Sequence, residues 1–562
     1  MRTFKVPPRF HFQVIAVALV AIIGSVGMHG ETPTFRWVQQ AGGTGVDYGS
    51  GVAMDGAGNT FVFPKFGNNL ASLGSLTVSN ADYFLAKYDP EGTPLWARPI
   101  RFPAYQGNLP LNYRLGCDAT GNVYIGGSFR AGPIIFGAVT LTNLNNYSLF
   151  LAKYDASGNL AWATNASGQH PATRIRGPAF AVDADGNSYL AGSSFNAPDL
   201  GLPDIFIDQV LRIYVAKFNP AGGGVWVRSY QVNTNIYYAD SNFTTPIAMA
   251  VGPDGGFYLC GHFVQPTFSI GDVTLTNRDA SGFSYETFTA RFDSDGDVLW
   301  ARSGGSSSHD EVNGFGVDAS GNAYVSGSFV STDPGSDFHF GDLVLTNRGY
   351  FTVKYQPDGT VEWLKQPIDF GNGDGHIRRF AADGAGNSYT FGWFRRSAKV
   401  ETITLSGPDD HSLSFLTKRD PTGELLWTKA FGGGSDMAYD WVRGSDAFEL
   451  AVSSEGNMTV VGNFLRPNLP FDGFDLSSVG DHDVFVARLD ADPPRLTSFR
   501  QGDALVMSWP TIPTGFTLES TTNLPSASAW LTVTNVVTMV GAHNFLTNPI
   551  SVGSRFYRLR KP

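Results

Sequence analysis

Two cysteines in 562 residues exclude a disulfide framework. Cys117 and Cys260 fall in strands of different, non-adjacent repeats, so they read as small buried hydrophobes and not as a bridge or a metal pair. Charge is also sparse: Asp, Glu, Lys and Arg make up 16% of the chain, and the balance is −11. An acidic surface without a basic stripe is a poor partner for nucleic acid. Beyond the first 27 residues no run is apolar enough for a transmembrane helix. There is no G-x-S-x-G elbow, no H-E-x-x-H and no phosphate-cradling glycine loop, which removes the commonest hydrolase, metalloprotease and nucleotide-binding signatures. What the chain has instead is glycine, 66 residues of it, and an aromatic content of 13%. That composition suits a sheet protein with many tight turns.

The opening MRTFKVPPRF carries Arg2, Lys5 and Arg9 and no acid, and an apolar run from Phe12 to Val26 follows. The pattern predicts a signal peptide over residues 1–27, cleaved after Gly27, because the run is shorter than the roughly 20 apolar residues a membrane anchor needs. Loss of its three cations would take the charge from −11 to −14. The mature chain is expected outside the cytoplasm (secreted, periplasmic or on the cell surface), as a monomer without a transmembrane segment.

Internal repetition organises the rest. Tryptophans at 37, 96, 162, 226, 300, 363 and 427 are 59 to 74 residues apart, and three pieces recur between them. The first is a short apolar run: GVAMD, RLGCD, AFAVD, AMAVG, GFGVD, RFAAD and ELAVS. It reads as an inner strand buried on both faces. A D-x-x-G-N turn leads to a second strand such as NVYIGGSF or NAYVSGSF. The third, as in YFLAKYD and VFVARLD, passes in six copies through a turn such as DPEG into the tryptophan strand. The seventh copy runs into ADPPRL and has no such strand, whereas FRWVQQAGG at Phe35–Gly43 is a tryptophan strand without a copy. Pairing the two gives an all-β, seven-bladed propeller over residues 35–490 whose last blade is completed by residues 35–43, which removes two open sheet edges.

The pieces GVAMDGAGNTFVF, DYFLAKYDPEGTPLWA and GGSSSHDEVNGFGVDASGNAYVSGSF resemble the SBBP-type beta-propeller repeats of secreted bacterial proteins. That resemblance implies a propeller and carries no catalytic residues, since the family is defined by its scaffold. Departures occur at Pro64, where other copies have Gly, and at Gly252 and Ser453, which replace the inner-strand Asp. Past Pro493-Pro494, the segments ALVMSWP, GFTLESTTNL, AWLTVTN, HNFLTNP and RFYRLRKP predict a small β-sandwich over residues 494–562. It resembles the C-terminal modules ending in FYRLR of secreted proteins from Verrucomicrobia-like bacteria.

The long, variable connections lie between second and third strands and between successive blades, and both kinds open on one face, where binding is expected. Candidate ligand contacts there are Tyr237, Tyr238 and Asp240; His309, Asp310 and Glu311; Asp374 and His376; and Asp436, Asp440 and Trp441. Asp47 extends this set into a loose ring of carboxylates, for which capping of backbone N–H groups is the simpler role. The repeated FGAVTLTN, IGDVTLTN and FGDLVLTN read as an extra hairpin on each blade. Asp293, Asp295 and Asp297 in DSDGD, like DADGN at 183–187, imitate the opening of a calcium loop but lack its later bidentate acid and coincide with the short turns. No cofactor is expected, calcium being the one candidate. A basic residue recurs in every third strand (Lys87, Lys153, Lys217, Arg291, Lys354, Lys418, Arg488) and reads as a cover for an aromatic face or a partner for a nearby Asp.

These readings predict a non-catalytic binding or scaffold module for an extracellular glycan or protein. The alternatives are a hydrolase or lyase of extracellular polysaccharide on the same scaffold, and a purely structural surface protein. Deleting Phe35 to Gly43 is expected to lower the melting temperature and cause aggregation by opening two sheet edges, while deleting 494–562 leaves the repeat region folded. Unchanged melting and solubility after the first deletion would refute the split repeat.

Overall fold

The computed structural model describes residues 32–560 apart from 50, 68–69, 103–111, 130–131, 143–147, 168–175, 195–211, 232–244, 280–283, 330–336, 347–348, 372–374, 410, 433–448, 465–468, 480–481, 492–495, 512–515, 523–529, 541–542 and 551–554. The proposed signal peptide lies outside them. Among the described residues the chain is all strand and turn, in antiparallel sheets, and no helix is long and apolar enough to cross a membrane.

Each repeat folds as its periodicity requires. In the second copy, Asn112–Cys117, Val123–Phe129, Ser148–Tyr154 and Leu160–Ser167 pair in that order as one four-stranded antiparallel sheet. The same order recurs from Arg176–Val182 to Gly224–Gln231 and from Asp310–Val317 to Val361–Lys365. First strands touch one another in cyclic order: Val52–Met54 packs beside both Asn112–Cys117 and Glu449–Val452. Side chains between successive sheets form separate apolar clusters, such as the one in which Tyr189 and Trp226 meet Phe257 and Phe292.

The opening strand occupies the register that the seventh copy leaves vacant. Phe35–Gly43 lies antiparallel to Asp483–Leu489 with Trp37 opposite Arg488. Elsewhere the tryptophan faces the basic residue of the third strand in the same way, as Trp96 faces Lys87 and Trp162 faces Lys153. Residues some 450 positions apart therefore share one sheet.

Successive sheets are latched by the tryptophan. The Trp96 indole N–H donates to Ala156 O at 3.3 Å, in the third-to-fourth turn of the next copy, and Trp37, Trp162, Trp300 and Trp363 donate likewise to Pro90, Pro220, Pro357 and Pro421 at 2.9–3.1 Å. The basic residue joins in: Lys87, Lys153, Arg291 and Lys354 donate to the same carbonyls as the tryptophan of their own copy. These cations also lie over the ring of the second-strand aromatic, Lys153 at 4.8 Å from the centre of Tyr124 and Lys87 at 4.9 Å from that of Phe61. The recurrent Lys or Arg thus covers an aromatic face, and Lys87 and Lys153 also approach Asp55 and Asp118 at 3.6 and 3.7 Å.

Inner turns are pinned by their Asp. Asp118 accepts from Asn122 N, from the Asn122 amide and from the Tyr124 hydroxyl, and Asp318 and Asp383 do the same for their copies. Where Gly252 replaces this residue, Asp254 accepts from Gly256 N and pairs with Arg291; where Ser453 does, its hydroxyl accepts from Asn457 N. Pro64 has a larger effect. The second strand of the first copy ends at Val62, since proline cannot donate to the ladder, and pairing resumes in two isolated bridges, of Lys65 with Tyr48 and with Tyr83.

The extra hairpins are present and have a place. Ile134–Phe136 and Val139–Leu141 pair with each other and then with the tryptophan strand Pro94–Arg101 of the preceding copy. Leu70–Leu73 and Leu76–Ser79 likewise extend the sheet of Phe35–Gly43. These two hairpins cover the outer edge of the neighbouring sheet, while those at residues 267–276, 338–345, 397–406 and 469–476 form two-stranded sheets of their own. Beyond the repeats, Thr497–Gln501, Ala504–Pro510, His543–Pro549 and Thr538–Val540 form one sheet, and Leu531–Thr532, Thr517–Thr521 and Phe556–Arg560 another; Met507, Trp509, Leu518 and Leu546 pack together as their core.

The latch makes a sharp prediction. Gly158 has φ +80°, and a Cβ there would stand 2.6 Å from the Trp96 ring, whereas a Cβ on Gly56 meets nothing within 4 Å. Gly158→Ala should cost more than ~2 kcal/mol in urea unfolding and Gly56→Ala less than ~0.5 kcal/mol. Equal effects would remove the tryptophan contact as the reason for the turn glycine.

Candidate functional site

The long-loop face is where the sequence places its candidates, and the structure describes four of them. His309 and Glu311 are exposed and Asp310 is fully buried between them, in and beside the strand Asp310–Val317. His376 is half-buried, with Nδ1 3.2 Å from Ile377 O and its ring 5.8 Å from Tyr350. Glu311 lies within electrostatic reach of the same tyrosine. Tyr237, Tyr238, Asp240, Asp374, Asp436, Asp440 and Trp441 lie outside the described residues. Asp293 accepts from the backbone N–H of Asp295 and Asp297 at 3.0 and 2.8 Å, the bonds that Asp155 makes in its own turn. Among the described residues no group of three or more His, Cys, Asp or Glu is arranged to hold a metal ion.

The buried Asp310 has a partner that sequence reasoning missed. Glu286 opens the third strand of the fourth copy, Glu286–Phe292, and is 1% exposed. Gly305, at the end of the tryptophan strand, lets the two acids converge. A Cβ on it would be 2.5 Å from Glu286 Oε2 and 2.6 Å from Asp310 Oδ2. Ser306 holds Asp310 through its N–H at 2.6 Å and its hydroxyl at 2.9 Å. Glu286 has weaker support: Arg278 N–H at 3.4 Å and the Arg278 guanidinium at 3.9 Å. Burial pushes Glu286 up to about 8, and burial, with a smaller contribution from the Glu286 charge, raises Asp310 well above the usual carboxylate range.

Aromatic and imidazole rings sit beside the pair. Tyr285 stacks between His262 and His309, with ring centres 4.3 and 5.1 Å apart, and its backbone N–H donates to His309 Nδ1 at 3.3 Å. Neutral His309 therefore carries its proton on Nε2. Burial lowers His262 to about 4, so it is uncharged at neutral pH.

A second pair has the same construction. Asp483 opens the third strand of the seventh copy, Asp47 precedes the first strand of the first, and a Cβ on Gly42 would collide with both carboxylates. Asp47 accepts from Gly43 N at 2.6 Å and Gly67 N at 2.8 Å, which is the capping role, and burial raises it to about 6. The signal that could have found these sites is a departure from the repeat: Glu286 and Asp483 stand where the other copies have residues such as Ser148, Gly349 and Leu413.

No family model matches the chain. A curated relative, the uncharacterized WD repeat-containing protein L264 of Acanthamoeba polyphaga mimivirus, is 24% identical over 242 residues, which are 38% of this chain and 17% of that protein's length. Solved structures of propeller type match more of it. A puromycin hydrolase is 14% identical with a TM-score of 0.36, over 88% of this chain and 60% of its own; a polysaccharide lyase, an ulvan lyase, is 10% identical with a TM-score of 0.37, over 81% and 96%. The repeated four-stranded sheets and the cyclic contacts of their first strands by themselves describe a repeat protein of β-propeller type. Both solved neighbours are enzymes, against the expectation of a non-catalytic module, and at these identities and TM-scores no role, residue or reaction carries over from either.

Glu286 imposes a pH dependence. Between its ordinary value of 4.5 and about 8 the unfolded chain has lost this proton and the folded chain keeps it, so stability falls as pH rises through that window and levels off above it. Glu286→Gln should gain on the parent by a few kcal/mol, at order-of-magnitude level, between pH 5 and pH 8.5 in paired thermal melts. A melting difference independent of pH would show that the carboxyl group is not held protonated.

Proposed function

We propose that this chain hydrolyses an extracellular polysaccharide on the long-loop face of a closed, seven-bladed SBBP-type propeller. In this reading residues 1–27 direct export, 35–490 form the ring and 494–562 a β-sandwich module. The register of Trp37 against Arg488 and the cyclic order of first strands support the ring.

The carrying observation is the carboxyl pair of Glu286 and Asp310 converging over Gly305. Two acids this close titrate as a unit, so loss of the first proton leaves a carboxylate beside a carboxylic acid. Glycoside hydrolysis requires that combination: the acid protonates the leaving oxygen, and the carboxylate activates water or attacks the sugar. His309 Nε2–H and the Arg278 guanidinium, both exposed, provide donors to substrate oxygens at the entrance. The pair is closed to solvent in the free chain, so substrate must part the Tyr285–His309 contact. Lyase chemistry is less well served, because it needs a base ready to abstract a carbon-bound proton and His309 presents an N–H. The proposed reaction uses the chain's own side chains and no cofactor.

Incubation with a panel of neutral and acidic polysaccharides should release reducing ends without the ultraviolet absorbance of an unsaturated product. Glu286→Gln and Asp310→Asn should each lower turnover by at least ~100-fold while Glu91→Gln, on the opposite face, leaves it unchanged. Turnover retained by both acid variants would overturn the assignment, and an unsaturated product would turn it to a lyase.

A further inference from the structure

One position of the repeat carries charge at the centre of the ring. It is the first residue of the inner-strand motif, occupied by Arg114, Arg379 and Glu449 in the second, sixth and seventh copies and by Gly or Ala in the other four. Register puts the three in one layer, opposite Gly126, Phe391 and Val461, which are equivalent positions of their second strands. The strands Asn112–Cys117 and Gly375–Ala382 are not neighbours, being separated in the cycle by Glu449–Val452 and Val52–Met54. Arg114 is nevertheless within electrostatic reach of both Arg379 and Glu449, so the three share the field of the space the first strands enclose.

Their hydrogen bonds are unequally satisfied. Arg379 gives Nε–H to Glu449 Oε2 at 2.8 Å, a second N–H to Glu449 Oε1, and a third to Arg378 O at 2.8 Å. Arg114 gives one N–H to Tyr113 O at 3.0 Å, and its side chain is exposed. The guanidinium is also partly withdrawn from bulk solvent, burial being the first cause that lowers its pKa. Contact with water combined with loss of bulk solvation describes a group lining a narrow wet channel. Two cations and one anion leave a single positive charge there, in a chain whose balance is −11.

We propose that the channel between the first strands binds a small oxyanion, a carboxylate or a phosphate, on the free edge of the Arg114 guanidinium. A guanidinium fork matches two oxygens of such a group, and the bonds strengthen where water is scarce. Arg379, paired with Glu449 through two N–H groups, adds positive field beside it. Glu449 opposes the ligand and so weakens it. The site is separate from the carboxyl pair and does not depend on the hydrolase reading.

Calorimetric titration of the full chain at low salt, with acetate and with inorganic phosphate in separate runs, tests this. Saturable one-site binding of at least one is expected; acetate alone identifies a carboxylate site and phosphate alone a phosphate site. Arg114→Gln should weaken binding at least about tenfold with an unchanged melting temperature, and Glu449→Gln should tighten it about tenfold. Arg114→Lys, which keeps the charge and loses the fork, should fall between Arg114→Gln and the parent. Absence of saturable binding of either anion, or binding by Arg114→Gln equal to the parent, would overturn the proposal.

Discussion

At five boundaries between successive repeats the architecture depends on one contact: an indole N–H reaching a turn carbonyl of the next copy, with the ring lying against that turn's glycine. Each such bond contributes only about 1 kcal/mol on its own. Its importance is positional. The bond, the cation that shares the carbonyl and the apolar packing beneath act at the same boundary, so the spacing and tilt between sheets are set by local chemistry repeated around the cycle. Replacing Gly in the turn would strike at the φ angle and at the ring contact together, which is why Gly92, Gly158, Gly222 and Gly359 share both a positive φ and a tryptophan neighbour.

Much of this was legible in the sequence because it repeats. The pieces ending in tryptophan, the turn motifs and the orphan Phe35–Gly43 each have several counterparts, and the observed pairing of Trp37 with Arg488 follows the expected register. The recurrent Lys or Arg was read correctly as structural from its presence in every copy. The carboxyl pairs were not legible for the complementary reason. Glu286 occurs in one copy only, and its meeting with Asp310 depends on Gly305, which lies just past the tryptophan strand Val298–Gly304. His309 and Asp310, adjacent in sequence, prove to have opposite environments, one exposed and one sealed.

The hairpins riding on the connections share one turn geometry, and two of them extend a neighbouring sheet over its outer edge. A glycine with φ near +57° makes the turn at Gly74, Gly137, Gly271 and Gly341. Glu401 and Asp472 adopt similar angles at the cost a side chain incurs there, and both carboxylates are tied down: Glu401 by Arg419, Asp472 by Lys429 and by the N–H of Phe35. The second of these ties the start of the opening strand to the last copies, so the hairpin and the split sheet reinforce each other.

That split sheet also sets a schedule for folding. During synthesis the N-terminal strand emerges first, yet its partner strand, Asp483–Leu489, is made last among the repeats. At roughly 5–20 residues per second the interval is on the order of half a minute to a minute and a half. Until then the chain can hold finished sheets but cannot close, and Phe35–Gly43 has only the hairpin Leu70–Leu73 and Leu76–Ser79 to pair with. Closure thus joins the most distant segments among the described repeats, and any factor that delays folding until the whole repeat region is out of the ribosome has that one strand to protect.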